Sequence, residues 1–135
     1  MRVTTIRQTK FISANPAEVY NAFMNAKMHA AFTGSKATCS AKVGGKFTAW
    51  DGYITGQNLE LKRGKLIIQL WKTTEWPKGY SPSILNLSFK QKKGGTQLTM
   101  VQSNVPASQA RNYRQGWVDA YWDPLRRYFQ KRKPR

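Results

Sequence analysis

Polar and apolar residues alternate from Arg2 to Ile12. Thr4, Ile6, Gln8, Lys10 and Ile12 share one face; Val3, Thr5, Arg7, Thr9 and Phe11 share the other. Such alternation, rich in β-branched residues, predicts a half-buried first strand. The period then changes. Asn15 stands at a helix N-cap position, Pro16 at the first helical position and Glu18 three after the cap. These residue types satisfy or omit the free N–H groups of a helix start. Val19, Tyr20, Phe23 and Met24 follow at helical spacing, and a second short helix is predicted over residues 27–32, ending near Gly34.

From residue 36 the pattern is strands separated by turns. Strands are predicted over 36–43, 46–50, 53–61, 65–74, 83–92 and 96–103, with a loop over 76–82. Gly44-Gly45, Asp51-Gly52, Gly64 and Gly94-Gly95 mark the turns, Asp-Gly being a strong hairpin dipeptide. After Pro106 the residues Ala110, Tyr113, Trp117, Tyr121, Leu125 and Tyr128 step by three or four. That predicts one long amphipathic helix over 107–131, bent at Pro124, which donates no hydrogen bond and crowds the preceding turn. Strand, two short helices, a run of hairpins and a long helix make an α+β domain. Its helices lie on one face of a curved antiparallel sheet of six or seven strands.

The chain has 135 residues, 40% apolar and 13% aromatic, enough for a packed core in a single domain spanning 1–135. No apolar run reaches the ~18 residues of a membrane span, and residues 1–13 lack the apolar stretch of a secretory signal. One cysteine, Cys39, excludes an internal disulfide, so the cytoplasm is the expected compartment. The chemistry on offer is thin. There is one histidine, His29, and the six carboxylates are Glu18, Asp51, Glu60, Glu75, Asp119 and Asp123. No base–nucleophile arrangement, metal-ligand spacing or phosphate loop emerges, since Gly94-Gly95-Thr96 leads into a strand rather than a helix. No catalytic residue, metal or cofactor is assigned, and the residues point away from an enzyme.

Charge adds one possibility. Lys and Arg number 23 against 6 acids, a net +17. The excess runs along the whole chain and thickens at Lys62-Arg63-Lys65, at Lys90-Lys92-Lys93 and from Arg126-Arg127 through Lys131, Arg132, Lys133 and Arg135. Such a surface attracts polyanions without sequence preference and in a salt-sensitive way, or serves solubility alone.

A long helix laid across a curved sheet need not fill the space beneath it. Trp50, Tyr53, Trp71, Trp76, Trp117, Tyr121 and Trp122 must meet there, either as plain core or as walls of a small-molecule site. Glu60, in an apolar strand, and Glu75, beside Trp76, are the carboxylates best placed to face such a site.

Several short segments carry a family likeness: Asn15-Pro16-Ala17-Glu18-Val19-Tyr20, His29-Ala30-Ala31-Phe32-Thr33-Gly34, Val43-Gly44-Gly45-Lys46-Phe47, Asp51-Gly52-Tyr53-Ile54-Thr55-Gly56, Asn58-Leu59-Glu60-Leu61, Gln69-Leu70-Trp71 followed by Trp76, Gly95-Thr96-Gln97-Leu98, and Gly116-Trp117 through Tyr121-Trp122-Asp123-Pro124-Leu125. In this order they resemble the homologues of the activator of the heat-shock protein 90 ATPase, within the START-like (SRPBCC) superfamily. The likeness to the eukaryotic co-chaperone is to its C-terminal domain. The resemblance implies a helix-grip fold, in which the sheet wraps a long C-terminal helix and encloses a cavity that holds lipids or other apolar ligands in the wider superfamily. The function expected is therefore non-enzymatic binding of an apolar or amphipathic small molecule. Phe32, Trp50, Trp71, Trp76, Trp117 and Tyr121 would form the walls; Tyr53, His29 and Glu60 would be the polar contacts. A heat-shock protein 90-type chaperone is the alternative partner, and non-specific polyanion binding a further one.

Overall fold

The computed structural model describes residues 2–132. Val3–Ile12 form β1, Pro16–Met24 α1, Ala26–Thr33 α2, Thr38–Cys39 β2 and Lys46–Ala49 β3. Ile54–Lys62 form β4, Leu66–Thr73 β5, Ser83–Lys92 β6 and Gly95–Pro106 β7. A 3-10 turn at Ala107–Gln109 leads into α3 (Ala110–Trp117), a π-turn (Val118–Trp122) and α4 (Asp123–Arg132), which run on as one long helix. The strands form one antiparallel sheet in the order β1-β7-β6-β5-β4-β3-β2. The sheet curves around the C-terminal helix in a helix-grip arrangement.

Local chemistry sets the helix ends. The Asn15 side-chain oxygen accepts from the Glu18 N–H at 2.9 Å, and the Asn25 oxygen accepts from the Met28 N–H at 3.0 Å. Each removes one of the donors a helix start leaves unpaired. Gly34 closes α2 at φ 78°, a conformation any side chain would strain.

The inner face of the sheet presents Ile6, Ile12, Ile67, Leu85, Leu87, Leu98 and Met100, all at most 2% exposed. They meet Trp117, Trp122, Leu125 and Phe129 of the long helix. Burying each such side chain stabilises by about 1.5–3 kcal/mol.

Three elements depart from the sequence pattern, each for a visible reason. The strand predicted over 36–43 contracts to Thr38–Cys39. Residues 40–45 fold into a turn instead, whose Ser40 and Lys42 carbonyls accept from the Asn58 side-chain amide at 2.7 and 3.1 Å. In β4 the register shifts between Asn58 and Glu60. This bulge bends the strand and inserts Leu59 as an extra residue. In the long helix, Pro124 follows a π-turn in which the Asp123 N–H reaches back five residues to the Val118 carbonyl. The wide turn relieves the crowding a proline imposes on the turn before it. It also stretches the buried stripe to steps of four: Tyr113, Trp117, Tyr121, Leu125 and Phe129. Phe129 therefore takes the buried place that even helical spacing gives to Tyr128, which is half-buried against Phe32 and Phe129.

Lys65 at the β4–β5 turn lies beside β6, its carbonyl accepting from the Phe89 N–H at 2.9 Å. Register then brings Lys62, Arg63 and Lys65 to the same end of the sheet as Lys90, Lys92 and Lys93. Lys133 and Arg135 of the C-terminal basic run lie outside the described residues.

Candidate ligand cavity

Between the sheet and α3 lies a cavity of about 330 Å³, open to solvent on one side. Trp50, Tyr53, Ile54, Trp71, Tyr113, Gly116, Trp117, Ala120 and Tyr121 line it. Two residues on the helix side make the space. Gly116 and Ala120 sit four apart, so they share a face, and a methyl group added at Gly116 would meet nothing within 4 Å. The walls are rings: Trp71 stacks on Trp117 at 5.8 Å between centroids, with Tyr113 edge-on to Trp71 at 5.5 Å. Its volume falls at the small end of the ~300–1,000 Å³ usual for ligand sites.

Buried polar ties hold these rings in place. The Trp117 indole N–H donates to Gln102 Oε1 at 2.8 Å; Gln102 Nε2 donates to Ser83 Oγ at 3.0 Å; Ser83 Oγ donates to the Trp71 carbonyl at 2.6 Å. The chain of bonds runs from the Trp117 ring to the Trp71 backbone and so ties the two members of the stacked pair. At the mouth, the Tyr53 hydroxyl donates to the Glu75 carboxylate and the Tyr113 hydroxyl to Gln109 Oε1. Burial, with the Glu75 hydrogen bond second, pushes the Tyr53 phenol up to about 12. Both hydroxyls thus have protein partners, Tyr113 also meeting the Thr73 hydroxyl at 2.7 Å.

Trp50 enters the mouth on an unusual turn. Trp50, Asp51 and Gly52 have φ of 52°, 55° and 87° in succession. The left-handed region disfavours a bulky side chain by about 1–2 kcal/mol. The Trp50 Nε1 is buried and makes no hydrogen bond, the one such side-chain nitrogen or oxygen among the described residues. It faces the Tyr121 oxygen, and this interaction opposes the rise that burial imposes on that phenol.

Behind Tyr121 sits His29, 7% exposed. His29 Nδ1 lies 3.3 Å from the Phe23 carbonyl and Nε2 lies 3.0 Å from the Tyr121 hydroxyl. A carbonyl only accepts, so Nδ1 carries the proton and Nε2 accepts from Tyr121. Burial lowers the His29 pKa, with the Phe23 carbonyl opposing. A depressed folded-state value means stability is full above the unfolded value near 6.5 and falls as the pH drops through the folded one. Chemical denaturation between pH 7.5 and 5 is expected to show this decline. His29→Gln, which cannot protonate, flattens it; an unchanged slope in the variant would assign the decline to other groups.

Of the residues singled out from sequence, Trp50, Tyr53, Trp71, Trp117 and Tyr121 line the cavity. Phe32 and His29 stack on each other at 5.1 Å behind Tyr121, so His29 reaches the cavity only through that hydroxyl and is no rim residue. With Gln69 and Tyr121, His29 borders a separate void of about 10 Å³, room for roughly one water. Trp76 packs outside Trp71 and Tyr113, its N–H donating to the Ser81 carbonyl at 2.9 Å. Glu60 is not a cavity residue. The bulge at Leu59 turns it to the outer face, where its carboxylate lies 3.8 Å from the Lys62 ammonium. Trp122 is buried on the β1 side, its N–H donating to Gln8 Oε1 at 2.6 Å. Asp123 pairs with Arg126 at 4.0 Å. Burial raises the Cys39 thiol pKa, away from the range of a reactive thiolate. Among the described residues no three His, Cys, Asp or Glu side chains gather as a metal would require. Tyr113, Ile54, Gly116 and Ala120 complete the lining without having been anticipated.

Residues 13–130 match the family model for Activator of Hsp90 ATPase homolog 1-like protein. The human protein named Activator of 90 kDa heat shock protein ATPase homolog 1 is 34% identical over 125 residues, covering 93% of this chain and 36% of the human one. A Dictyostelium discoideum homologue of that activator is 28% identical over 125 residues, covering 93% of this chain and 33% of its own. The chain spans about a third of the length of these curated relatives. Among solved structures, an HSP90 activator from Plasmodium falciparum has a TM-score of 0.86 at 24% identity, covering 93% of this chain and 96% of that one. A Mesorhizobium loti protein has a TM-score of 0.81 at 20% identity, covering 97% of this chain and all 100% of the other. Likenesses at this identity establish the fold.

Proposed function

The chain belongs to the family of Activator of Hsp90 ATPase homolog 1-like proteins, and from that fold we propose that it is a cytoplasmic, non-enzymatic binder of an apolar or amphipathic small molecule in the cavity between sheet and C-terminal helix. The observation that carries this reading is the ring-walled space left by Gly116 and Ala120. A ligand burying about 250 Å² of apolar surface gains on the order of 6 kcal/mol at ~25 cal/mol per Å². Part of that offsets lost translational freedom, so dissociation constants of roughly 0.1 mM to several mM are expected.

Gly116→Leu is the test. The added side chain grows into the cavity, and a helical glycine is replaced by a better helix former worth about 0.5–1 kcal/mol. The variant should unfold at equal or higher denaturant than the parent, yet lose the chemical-shift response of Trp71 and Trp117 to a panel of apolar compounds. A parent protein that shows no such response to any of them ends the reading.

A second reading rests on the human relative's printed name and 34% identity: contact with a heat-shock protein 90-type chaperone. Titration into such an ATPase should change its turnover; an unchanged rate at saturation, with no complex in sedimentation, removes it. The cations gathered at the hairpin end of the sheet add a salt-sensitive attraction for polyanions to either role.

A further inference from the structure

We propose that the ligand of this cavity is an amphipathic organic cation, a quaternary ammonium head on an apolar body, with the head among the rings of the mouth beside the Glu75 carboxylate. This rests on the cavity-binding reading above and gives it a chemical class.

The walls supply the first half of such a site. Six of the nine lining residues are aromatic: Trp50, Tyr53, Trp71, Tyr113, Trp117 and Tyr121. Ring faces carry partial negative charge and attract a cation within about 6 Å of the centroid, Trp most strongly. Trp50 and Tyr53 are half-buried where the other four are buried, so they stand on the open side and meet the head. At a close-packed density of ~0.75, a space of about 330 Å³ holds on the order of 250 Å³ of ligand atoms.

The second half is a counter-charge. The Glu75 carboxylate accepts from the Tyr53 hydroxyl. Its backbone is tied in as well: the carbonyl accepts from Gln109 Nε2 at 2.7 Å, and the N–H donates to Thr73 Oγ1 at 3.2 Å. Gln109 and Thr73 both bond the Tyr113 hydroxyl, so Glu75 is anchored to two lining residues. In a chain with 23 Lys and Arg, this carboxylate has no cationic partner. Among the described residues the ion pairs are Lys62–Glu60 and Arg126–Asp123, and neither Lys72 nor Lys78, three positions to either side, reaches it. Burial is the first cause that raises the Tyr53 and Tyr113 phenols, and the Glu75 charge adds to both. The mouth is thus locally negative on a positive molecule.

Other charges fit worse. An anion meets Glu75 and finds no Lys or Arg among the lining residues. A primary ammonium carries three N–H donors that need acceptors once water is shed, and the hydroxyls of Tyr53, Tyr113 and Tyr121 already have protein partners. A quaternary ammonium has no N–H to satisfy, and its methyl groups pack on rings. Repulsion from the net +17 is screened over about 8 Å at physiological ionic strength, so the nearest charge decides.

The experiment compares two isosteres that differ in nitrogen for carbon, (4-hydroxyphenyl)trimethylammonium and neutral 4-tert-butylphenol, below pH 7, where both phenols stay protonated. Each is titrated into the parent, Glu75→Gln and Gly116→Leu, read by the Trp71 and Trp117 indole proton shifts. The parent should prefer the cation about threefold to tenfold, the scale of a cation–π contact with a solvent-screened carboxylate beside it. Glu75→Gln keeps an acceptor for Tyr53 and removes the charge; it should cut that preference about threefold or more. Gly116→Leu, by filling the cavity, should abolish binding of both. Equal or tighter binding of 4-tert-butylphenol by the parent overturns this inference and leaves cavity binding standing, and that comparison decides even if a variant does not fold. An unchanged preference in Glu75→Gln, or cation binding that survives in Gly116→Leu, overturns it too. If neither probe binds the parent, this inference falls, and the cavity reading falls with it when the apolar compounds are silent as well.

Discussion

Trp117→Ala is expected to lower the unfolding free energy by about 3–5 kcal/mol, the range for truncating a large buried ring. Trp117 is 3% exposed and stacks between Trp71 and Trp122, at 5.8 and 5.2 Å. Its removal merges the cavity with the core and strands Gln102 Oε1, which accepts the Trp117 N–H in a fully buried position. Trp117→Phe separates the two causes: it keeps most of the ring volume, and its remaining cost of about 1–3 kcal/mol reports the stranded oxygen. Equilibrium denaturation in urea measures both. Since a domain of this size has only about 5–15 kcal/mol in total, the alanine variant should be visibly fragile. A loss under about 1 kcal/mol would mean that the stacked rings contribute little, and that the cavity wall is not part of the core.

Gly56→Ala is the second large effect, at or above the ~3 kcal/mol end of small-to-large substitutions. Gly56 faces inward in β4, opposite Phe47 in β3 and Trp71 in β5. A methyl group there would lie 2.0 Å from the Leu70 carbonyl oxygen and 2.5 Å from the Phe47 ring. The ring can move; the neighbouring strand's backbone cannot without giving up ladder hydrogen bonds. The same substitution at Gly116 meets open space and should stabilise by about 0.5–1 kcal/mol. Two glycines thus give opposite signs under one change. Thermal unfolding of the pair checks this; a Gly56→Ala protein as stable as the parent would show that β4 bends freely.

Most of the architecture was legible in the sequence because each element announces itself locally. The alternation of β1, the Asn15-Pro16-Glu18 cap and the Asp51-Gly52 turn need no tertiary information. The ring walls were legible in part: Trp71 and Trp117 fall on inward positions of their elements, whereas Trp50 follows β3 and reaches the cavity only through its left-handed turn. Glu60 was misplaced because a bulge is a one-residue insertion that leaves no mark on alternation: counting inward from Ile54 by twos reaches Glu60, whereas the extra Leu59 turns it outward. His29 was undervalued because its partner lies 92 residues further along, and nothing near it in sequence foretells burial. Gly116 and Ala120 did carry a signal, two small residues one turn apart beside a stripe of aromatics. Large side chains draw attention to walls, while a cavity is defined by where they are missing.

The pairing of β1 with β7 sets Ile6 against Gln102, and β1 also touches the far end of the chain through Gln8, bonded to Trp122 and to the Arg114 carbonyl. During synthesis the first strand therefore emerges long before anything it can pair with, and the pocket acquires its second wall only when the final segment docks. Contacts so distant along the chain slow folding into the millisecond-to-second range. A fragment ending near residue 106 would carry every strand of the sheet with its inner apolar face uncovered, so it is expected to associate through the surface that the helix otherwise covers.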